Sequence, residues 1–367
     1  MNVLKTTYVL GVILGITTNL SAQSKYSNDF LTIGVGAREL SMGLAVASTT
    51  KDVYAGYWNP AGLVRQKDNY QAALMHANYF NGIANYDYAG ISAKIDDKSA
   101  IGLSMIRLGV DDIFDTSELI DANGQVDYNR IKKFSTTDNA FIVSYSRKLK
   151  PNLSIGVNTK IIYRKVGAFA SAWGFGIDAG VQYSVKKWQL GANLRDMTST
   201  FNVWNFNTQR LAAVFQATNN EIPTNSTELT LPNLQAGASY ATNLGKEWQA
   251  TVGVELITYF DGKRNTLLKS NFASADPRIG MEFSYQDKVF LRTGVHNFQT
   301  FVTDFDGKKR LTVQPTIGAG FRLKAFCIDY AFTNFGNANT ALSTHTVSLK
   351  LGINQLGTKN NATTTSN

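Results

Sequence analysis

The chain has little cysteine and no long apolar run beyond its first residues. Cys327 is the only cysteine among 367 residues. That excludes an intrachain disulfide framework, and no cysteine follows the N-terminal apolar segment to make a lipid anchor. Cys327 falls inside an alternating pattern and is expected to be a small packed residue rather than a nucleophile. Histidine is scarce too: His76, His296 and His345 lie in separate segments without the clustering that metal ligands need. No nucleophile elbow, phosphate loop or zinc signature is present. An enzyme is not expected, and neither is a cofactor. The formal charge of +9 becomes +8 without Lys5, with no Lys/Arg block of the nucleic-acid-binding kind.

What is there begins with a targeting segment. Lys5 supplies a positive start, Val9–Ile16 a short apolar stretch, and Leu20-Ser21-Ala22 a small-residue cleavage site. A signal peptide over 1–22 and a mature start near Gln23 follow. A membrane-anchoring helix would need roughly 20 apolar residues.

The mean hydropathy is only −0.15. A chain this mild crosses a membrane only as a barrel, because barrel strands alternate apolar and polar residues. Phe175 to Val185 shows the pattern: Phe175, Ile177, Ala179, Val181, Tyr183 and Val185 on one face, with Gly176, Asp178, Gly180, Gln182 and Ser184 on the other. In Ile155–Tyr163 the polar face (Gly156, Asn158, Lys160) is interrupted by Ile162. Fourteen strands are predicted: 70–79, 86–95, 99–108, 139–149, 153–166, 174–185, 188–195, 232–241, 247–258, 278–285, 289–296, 314–323, 325–333 and 344–353. Gln209–Gln216 is taken as an excursion, since a further strand there would break the even count.

The connectors carry more weight. Those after even-numbered strands are tight: Asp96–Lys98, Lys150–Asn152, Lys186–Lys187, Thr242–Lys246, Gln286–Lys288 and Lys324. Those after odd-numbered strands include the long 109–138, 196–231, 259–277 and 297–313. Short turns on one rim and long loops on the other are the arrangement of outer-membrane barrels. A soluble sandwich has no reason to keep that parity. Aromatic residues gather near the short-turn rim (Tyr70, Tyr145, Tyr183, Trp188, Tyr240, Trp248, Tyr285) and toward the other (Tyr79, Phe80, Tyr86, Tyr259, Phe260), as two interfacial girdles would. Arg107 falls on the apolar register, at the end of its predicted strand, where the cost of a charge fades to about 0–1 kcal/mol.

Residues 30–63 leave the pattern. Gly36-Ala37-Arg38 with Met42-Gly43, then Trp58-Asn59-Pro60-Ala61-Gly62-Leu63, form a Gly-rich, small-residue segment suited to a confined space. Asn59-Pro60 signals a turn, and a short helix near Val53–Tyr57 is predicted, with Asp52 as its N-cap. This motif resembles the N-terminal signature of the PorV/PorQ family, outer-membrane proteins of the type IX secretion system of Bacteroidetes. It is more distantly similar to FadL-type transporters, which share the Asn-Pro-Ala-Gly element. The resemblance implies a hatch folded inside the barrel lumen, with Gly36, Arg38, Met42, Gly43, Trp58, Asn59, Pro60 and Gly62 as its motif residues. Trp58 and Asn59 are expected to anchor it.

The remaining motifs are weak. Asp121–Asp127 lacks the acidic twelfth position of a calcium loop and, like Asp304–Gly307, is expected to be an ordinary turn. Asp178, Lys160, Arg164, Glu255, Glu282, Arg292, Arg322 and Asp329 fall on the polar register and are expected to form a lumenal charge network holding the hatch. The expected protein is an all-β transmembrane antiparallel barrel of the Gram-negative outer membrane. It comprises a signal peptide (1–22), a hatch (23–69), a barrel (70–354) and a polar tail (355–367). The resemblance implies a type IX secretion component or paralogue that meets secreted cargo or partner proteins through outer loops 109–138 and 196–231. The alternative is a FadL-like channel for hydrophobic small molecules. Outer-membrane lipid is the other expected partner.

Overall fold

The computed structural model describes residues 27–79, 82–120, 124–217, 221, 226–302, 307–335 and 342–354. The signal peptide, Phe80, the tail Gln355–Asn367 and parts of the Asp121 and Asp304 turns lie outside the described residues. The strands are β1 (Tyr70–Tyr79), β2 (Ala84–Lys94), β3 (Ser99–Asp115), β4 (Lys132–Lys150), β5 (Leu153–Val166), β6 (Ala170–Val185), β7 (Trp188–Arg195), β8 (Thr200–Phe206) and β9 (Ser226–Thr230). There follow β10 (Asn233–Leu244), β11 (Trp248–Tyr259), β12 (Leu268–Lys269), β13 (Ser274–Tyr285), β14 (Val289–Val302), β15 (Lys309–Leu323), β16 (Phe326–Phe335) and β17 (Leu342–Ile353).

Antiparallel pairing runs from β1 through β7, passes to β10, β11 and β13, and continues to β17, which pairs back onto β1. The result is a closed barrel of fourteen strands. Closure leaves no exposed sheet edge, so every peptide group inside hydrocarbon has a partner. β8 continues the line of β7 beyond a turn at Asp196–Ser199 and pairs with the first half of β6, while β9 pairs with β8. Every predicted strand has its counterpart, and the tight turns sit on one rim as expected.

The long-loop side differs. β3 and β4 run on to Asp115 and Lys132, so 109–138 is largely a tall hairpin instead of a loop. Within 196–231 the chain forms β8, a helix (Thr208–Ala217) and β9; Gln209–Gln216 is therefore helical. These extensions pair residues far apart in sequence, and local alternation does not encode such pairing.

Outward positions are apolar and exposed, among them Leu74 (59%), Leu103 (49%) and Ile317 (60%). Such a belt around a closed barrel requires hydrocarbon as its solvent. The protein is an outer-membrane β-barrel. At the short-turn rim the girdle forms as expected, with Trp188 beside Tyr240 and Trp248 beside Tyr285, both ring pairs 5.0 Å apart. The other girdle needs correction. Tyr79 and Tyr86 point into the lumen and are buried, and Tyr259 also faces inward, beneath the Arg264 guanidinium. Outward aromatics on that side are Trp173, Phe201 and Tyr330 instead.

Arg107 is corrected as well: its strand continues for eight residues, so it lies mid-strand. It is tolerated because Asp87 stands opposite on β2, 3.6 Å away, and Asp87 also meets His76 at 2.7 Å. Closure of β1 on β17 brings His76 and His345 to diagonal positions of the outer face, while His296 is buried inside.

Candidate functional site

Residues 27–69 fill the lumen. The segment has only short regular elements: a 3-10 turn (Asp29–Thr32), helices Ala37–Ser41 and Ala55–Trp58, and a second 3-10 turn (Pro60–Arg65). The second helix starts two residues later than predicted. Asp52 Oδ1 still accepts from Tyr54 N at 3.1 Å, while its other oxygen meets the Lys350 ammonium.

A buried segment with so little secondary structure must find partners for its peptide groups elsewhere. The barrel wall supplies them. Ala37 N donates to Ser348 Oγ (2.7 Å), and Val46 N and Ala47 N both donate to Glu255 Oε2 (2.9 and 2.8 Å). Val53 N donates to Gln71 Oε1 (2.9 Å). Asn158 Nδ2 reaches Gly56 O (2.8 Å), Asn193 Nδ2 reaches Trp58 O (3.0 Å), and Gln182 Nε2 reaches Thr50 O (3.0 Å). The period-two polar face thus serves the backbone of the hatch rather than water.

Close approach is the second device. Inward glycines on neighbouring strands leave room for the hatch chain. A Cβ on Gly280 would lie 2.1 Å from Met42 O, and one on Gly294 would lie 2.2 Å from Gly43 N. On the other side of the lumen, Gly156 stands against Pro60 and Gly180 against Asn59 Oδ1 in the same way.

The motif residues are placed as follows. Gly36 has φ +90, and Glu39 Oε2 rests where its Cβ would be. Arg38 Nε donates to Glu282 Oε2 (2.9 Å) on β13. Met42 and Gly43 press on the glycines of β13 and β14. Trp58 Nε1 donates to Val35 O (2.8 Å), tying the two halves of the hatch together. Asn59 Nδ2 is shared among Ala47 O (2.9 Å), Val181 O (3.1 Å) and Ala192 O (3.3 Å), the last two on β6 and β7. Gly62 packs against Thr50 O. Trp58 therefore braces the hatch internally, and Asn59 attaches it to the wall.

All eight expected lumenal charges have partners. Glu282, Arg292 and Asp329 form a chain with Arg38, through contacts of 2.6 Å (Arg292–Glu282) and 2.7 Å (Arg292–Asp329). Lys160 is clasped by Asp178 (2.8 Å) and Asp196, Glu255 meets Arg278 (3.3 Å), and Arg164 meets Asp138 (2.9 Å). Arg322 is the outlier, half-exposed at the short-turn mouth and paired with Asp287 (2.6 Å). A buried charge left without its partner is strongly destabilising, which explains why these residues come in chains. Among hatch groups, burial and the neighbouring Asp52 charge push the Glu39 carboxyl up to about 7 against the opposing pull of Arg38 and Lys350.

The lumen is not uniformly polar. Tyr79, Tyr86, Tyr88, Ile106, Ile142 and Ile162, from β1 to β5, face inward and pack with Phe30, Leu31, Val35, Tyr57 and Trp58 of the hatch. Leu108 and Val110 of β3 and Ile33 of the hatch lie against the same cluster. Ile162, which broke the sequence alternation, is part of this sector. Its hydroxyls are aimed at the hatch: Tyr86 OH donates to Phe30 O (3.0 Å) and Tyr88 OH to Val53 O (3.2 Å). The hatch separates a cavity of about 30 Å³ around Ser27, Leu31 and Tyr259 from a recess of about 480 Å³ at the short-turn end.

No protein-family model matches the chain, and no curated protein is similar to it in sequence. Solved structures are similar in fold. The CymD monoaromatic hydrocarbon channel superposes with a TM-score of 0.55 at 12% identity, over 88% of this chain and 98% of that one. The toluene transporter TodX of Pseudomonas putida gives 0.54 at 12% over 88% and 98%. A FadL homologue of Pseudomonas aeruginosa gives 0.52 at 13% over 87% and 98%. The chain has the FadL-type outer-membrane barrel fold.

Proposed function

We infer that this protein is a channel for small hydrophobic molecules across the outer membrane, closed by the hatch in the state described. The observation that carries this is the apolar sector of the lumen. Barrels that pass polar solutes line their interior with polar residues, and sites for hydrophobic ligands are lined mostly by apolar and aromatic side chains. Here Ile106, Ile142, Ile162, Leu108 and Val110 form an apolar inner wall that ends on Phe30, Leu31 and Ile33 of the hatch. The hydrocarbon channels of the same fold support this inference. Passage then requires the hatch to shift. Cells carrying the barrel should accumulate radiolabelled toluene faster than cells without it, and Ile106→Asn with Ile162→Asn should remove most of the gain. Uptake equal to that of barrel-less cells would reject the channel.

A second reading keeps partner capture by outer segments, as the resemblance to PorV/PorQ proteins implies for secretion. It is favoured by the β3–β4 hairpin, which exposes Phe114, Ile120, Val126 and Tyr128. Removing 116–131 should then spare assembly and abolish capture of a secreted partner.

A further inference from the structure

The recess at the short-turn end, about 480 Å³, has an unbalanced charge lining. Four of its five carboxylates are held in ion pairs, and Asp68 has a neutral partner. Glu282 and Asp329 belong to the chain with Arg38 and Arg292, and Asp52 holds Lys350. Asp287 is shared by Lys67 and Arg322, and Asp68 accepts from Gln71 Nε2 at 2.9 Å. Three further cations on the lining, Lys51, Arg65 and Lys324, have no carboxylate partner among the described residues, and Lys324 is exposed in its turn. Lys51 is half-buried on the hatch and faces this recess. Arg65 is fixed by neutral acceptors: Ser154 Oγ (2.7 Å), Ser184 Oγ (2.6 Å), Asn152 O (2.8 Å) and Gln182 O (3.0 Å). These bonds set its orientation and leave its charge uncompensated.

We propose that this recess is an anion site in which Lys51, with Arg65 beside it, takes a phosphate-type oxyanion, free or as the head of a small amphiphile. A partly desolvated ammonium without a counter-charge is unfavourable, and an oxyanion restores both its hydrogen bonds and its charge balance. Burial, together with the charges of Arg65, Arg38 and Lys67, pulls the Lys51 ammonium down to about 8. An arriving anion reverses that pull. The recess has room for a phosphate with a short alkyl chain but lies inside the barrel rim, which favours a small molecule over an acidic protein surface. The site is independent of what crosses the lumen, so a failed uptake assay leaves it standing.

The test uses the full chain in zwitterionic detergent at low salt, titrated with inorganic phosphate and with hexyl phosphate. Carbon-13 methylated lysines report by NMR, with the Lys51 signal assigned by its loss in Lys51→Met. Saturating ligand should raise the Lys51 midpoint by about one pH unit. By calorimetry, Lys51→Met should bind at least tenfold more weakly, and Lys51→Arg should bind like the parent. Tighter hexyl phosphate than phosphate identifies an amphiphile head, and equal affinity identifies the free anion. A Lys51 midpoint that neither ligand moves, or a Lys51→Met barrel that binds as the parent does, overturns the site. Should Lys51→Met fail to show the folded mobility on unheated gels, the parent midpoint and Lys51→Arg decide.

Discussion

Gly294 of β14 and Gly43 of the hatch meet backbone to backbone, so that a methyl group on Gly294 would lie 2.2 Å from the Gly43 amide nitrogen. Gly280 pairs directly with Gly294 in the sheet and meets Met42 in the same way. Alanine at Gly294 has no flexible neighbour to displace, because backbone faces it. Overpacking of this kind costs about 1–3 kcal/mol. Gly294→Ala should leave the barrel closed but loosen the hatch. Limited proteolysis of the folded barrel should then cut within residues 36–50, a region protected in the parent.

The two ends of the arginine series should respond differently. Arg292 is buried between Glu282 and Asp329, whereas Arg322 is half-exposed beside Asp287. Removing one partner of a buried pair costs about 3–5 kcal/mol, and an exposed pair contributes about 0–1 kcal/mol. Arg292→Leu should therefore lower the denaturant midpoint strongly and Arg322→Leu barely. Equal effects would mean that the lumen is wet at Arg292.

Glu39 makes hatch docking depend on pH. Its folded pKa, about 7, lies above the ordinary carboxylate value of 4.5, with burial as the main cause. The unfolded chain thus releases the proton first, and stability falls as pH rises from 4.5 to 7. Below 4.5 the contribution is complete. Arg38, Asp52, Lys350 and Asp329 face this group; of the hatch members, Arg38 lies above the window and Asp52 below it. Trp58 fluorescence should report tighter docking at pH 5 than at pH 8, and Glu39→Gln should flatten the difference.

The membrane belt predicts a depth-dependent penalty. Leu103 is outward and half-exposed on β3, two residues below Met105 and four below Arg107. Leu103→Arg should cost roughly 2–4 kcal/mol in refolding into lipid vesicles. Arg107→Leu should also carry a cost, because it leaves the Asp87 carboxylate on the same face with His76 alone. A Leu103→Arg barrel that refolds as well as the parent would place that face in water.

The barrel was legible because its evidence is local. Alternation in segments such as Phe175–Val185 and the parity of turns such as Lys186–Lys187 need no tertiary knowledge. Tyr79 and Tyr86 were misplaced because an aromatic at a strand end reads alike whether it meets a headgroup or a hatch. Only closure around the hatch shows which. Ile162 was visible as an irregularity, yet its meaning, an apolar sector inside the lumen, required the register of five strands. The wall glycines were present in the pattern at Gly156 and Gly180, but close approach involves partners in the hatch, far away along the chain. The hatch motif pointed first to secretion, since a short signature shared across one barrel fold does not carry the chemistry of the lumen.

The most direct test locks the hatch to the wall. Ala37 N donates to Ser348 Oγ at 2.7 Å, so these two positions, one on the hatch and one on the wall, are neighbours at which a cysteine pair is to be introduced. In a Cys327→Ser background, oxidised Ala37→Cys/Ser348→Cys barrels should lose toluene uptake and regain it on reduction. Uptake that persists through the oxidised lock would contradict passage by movement of the hatch.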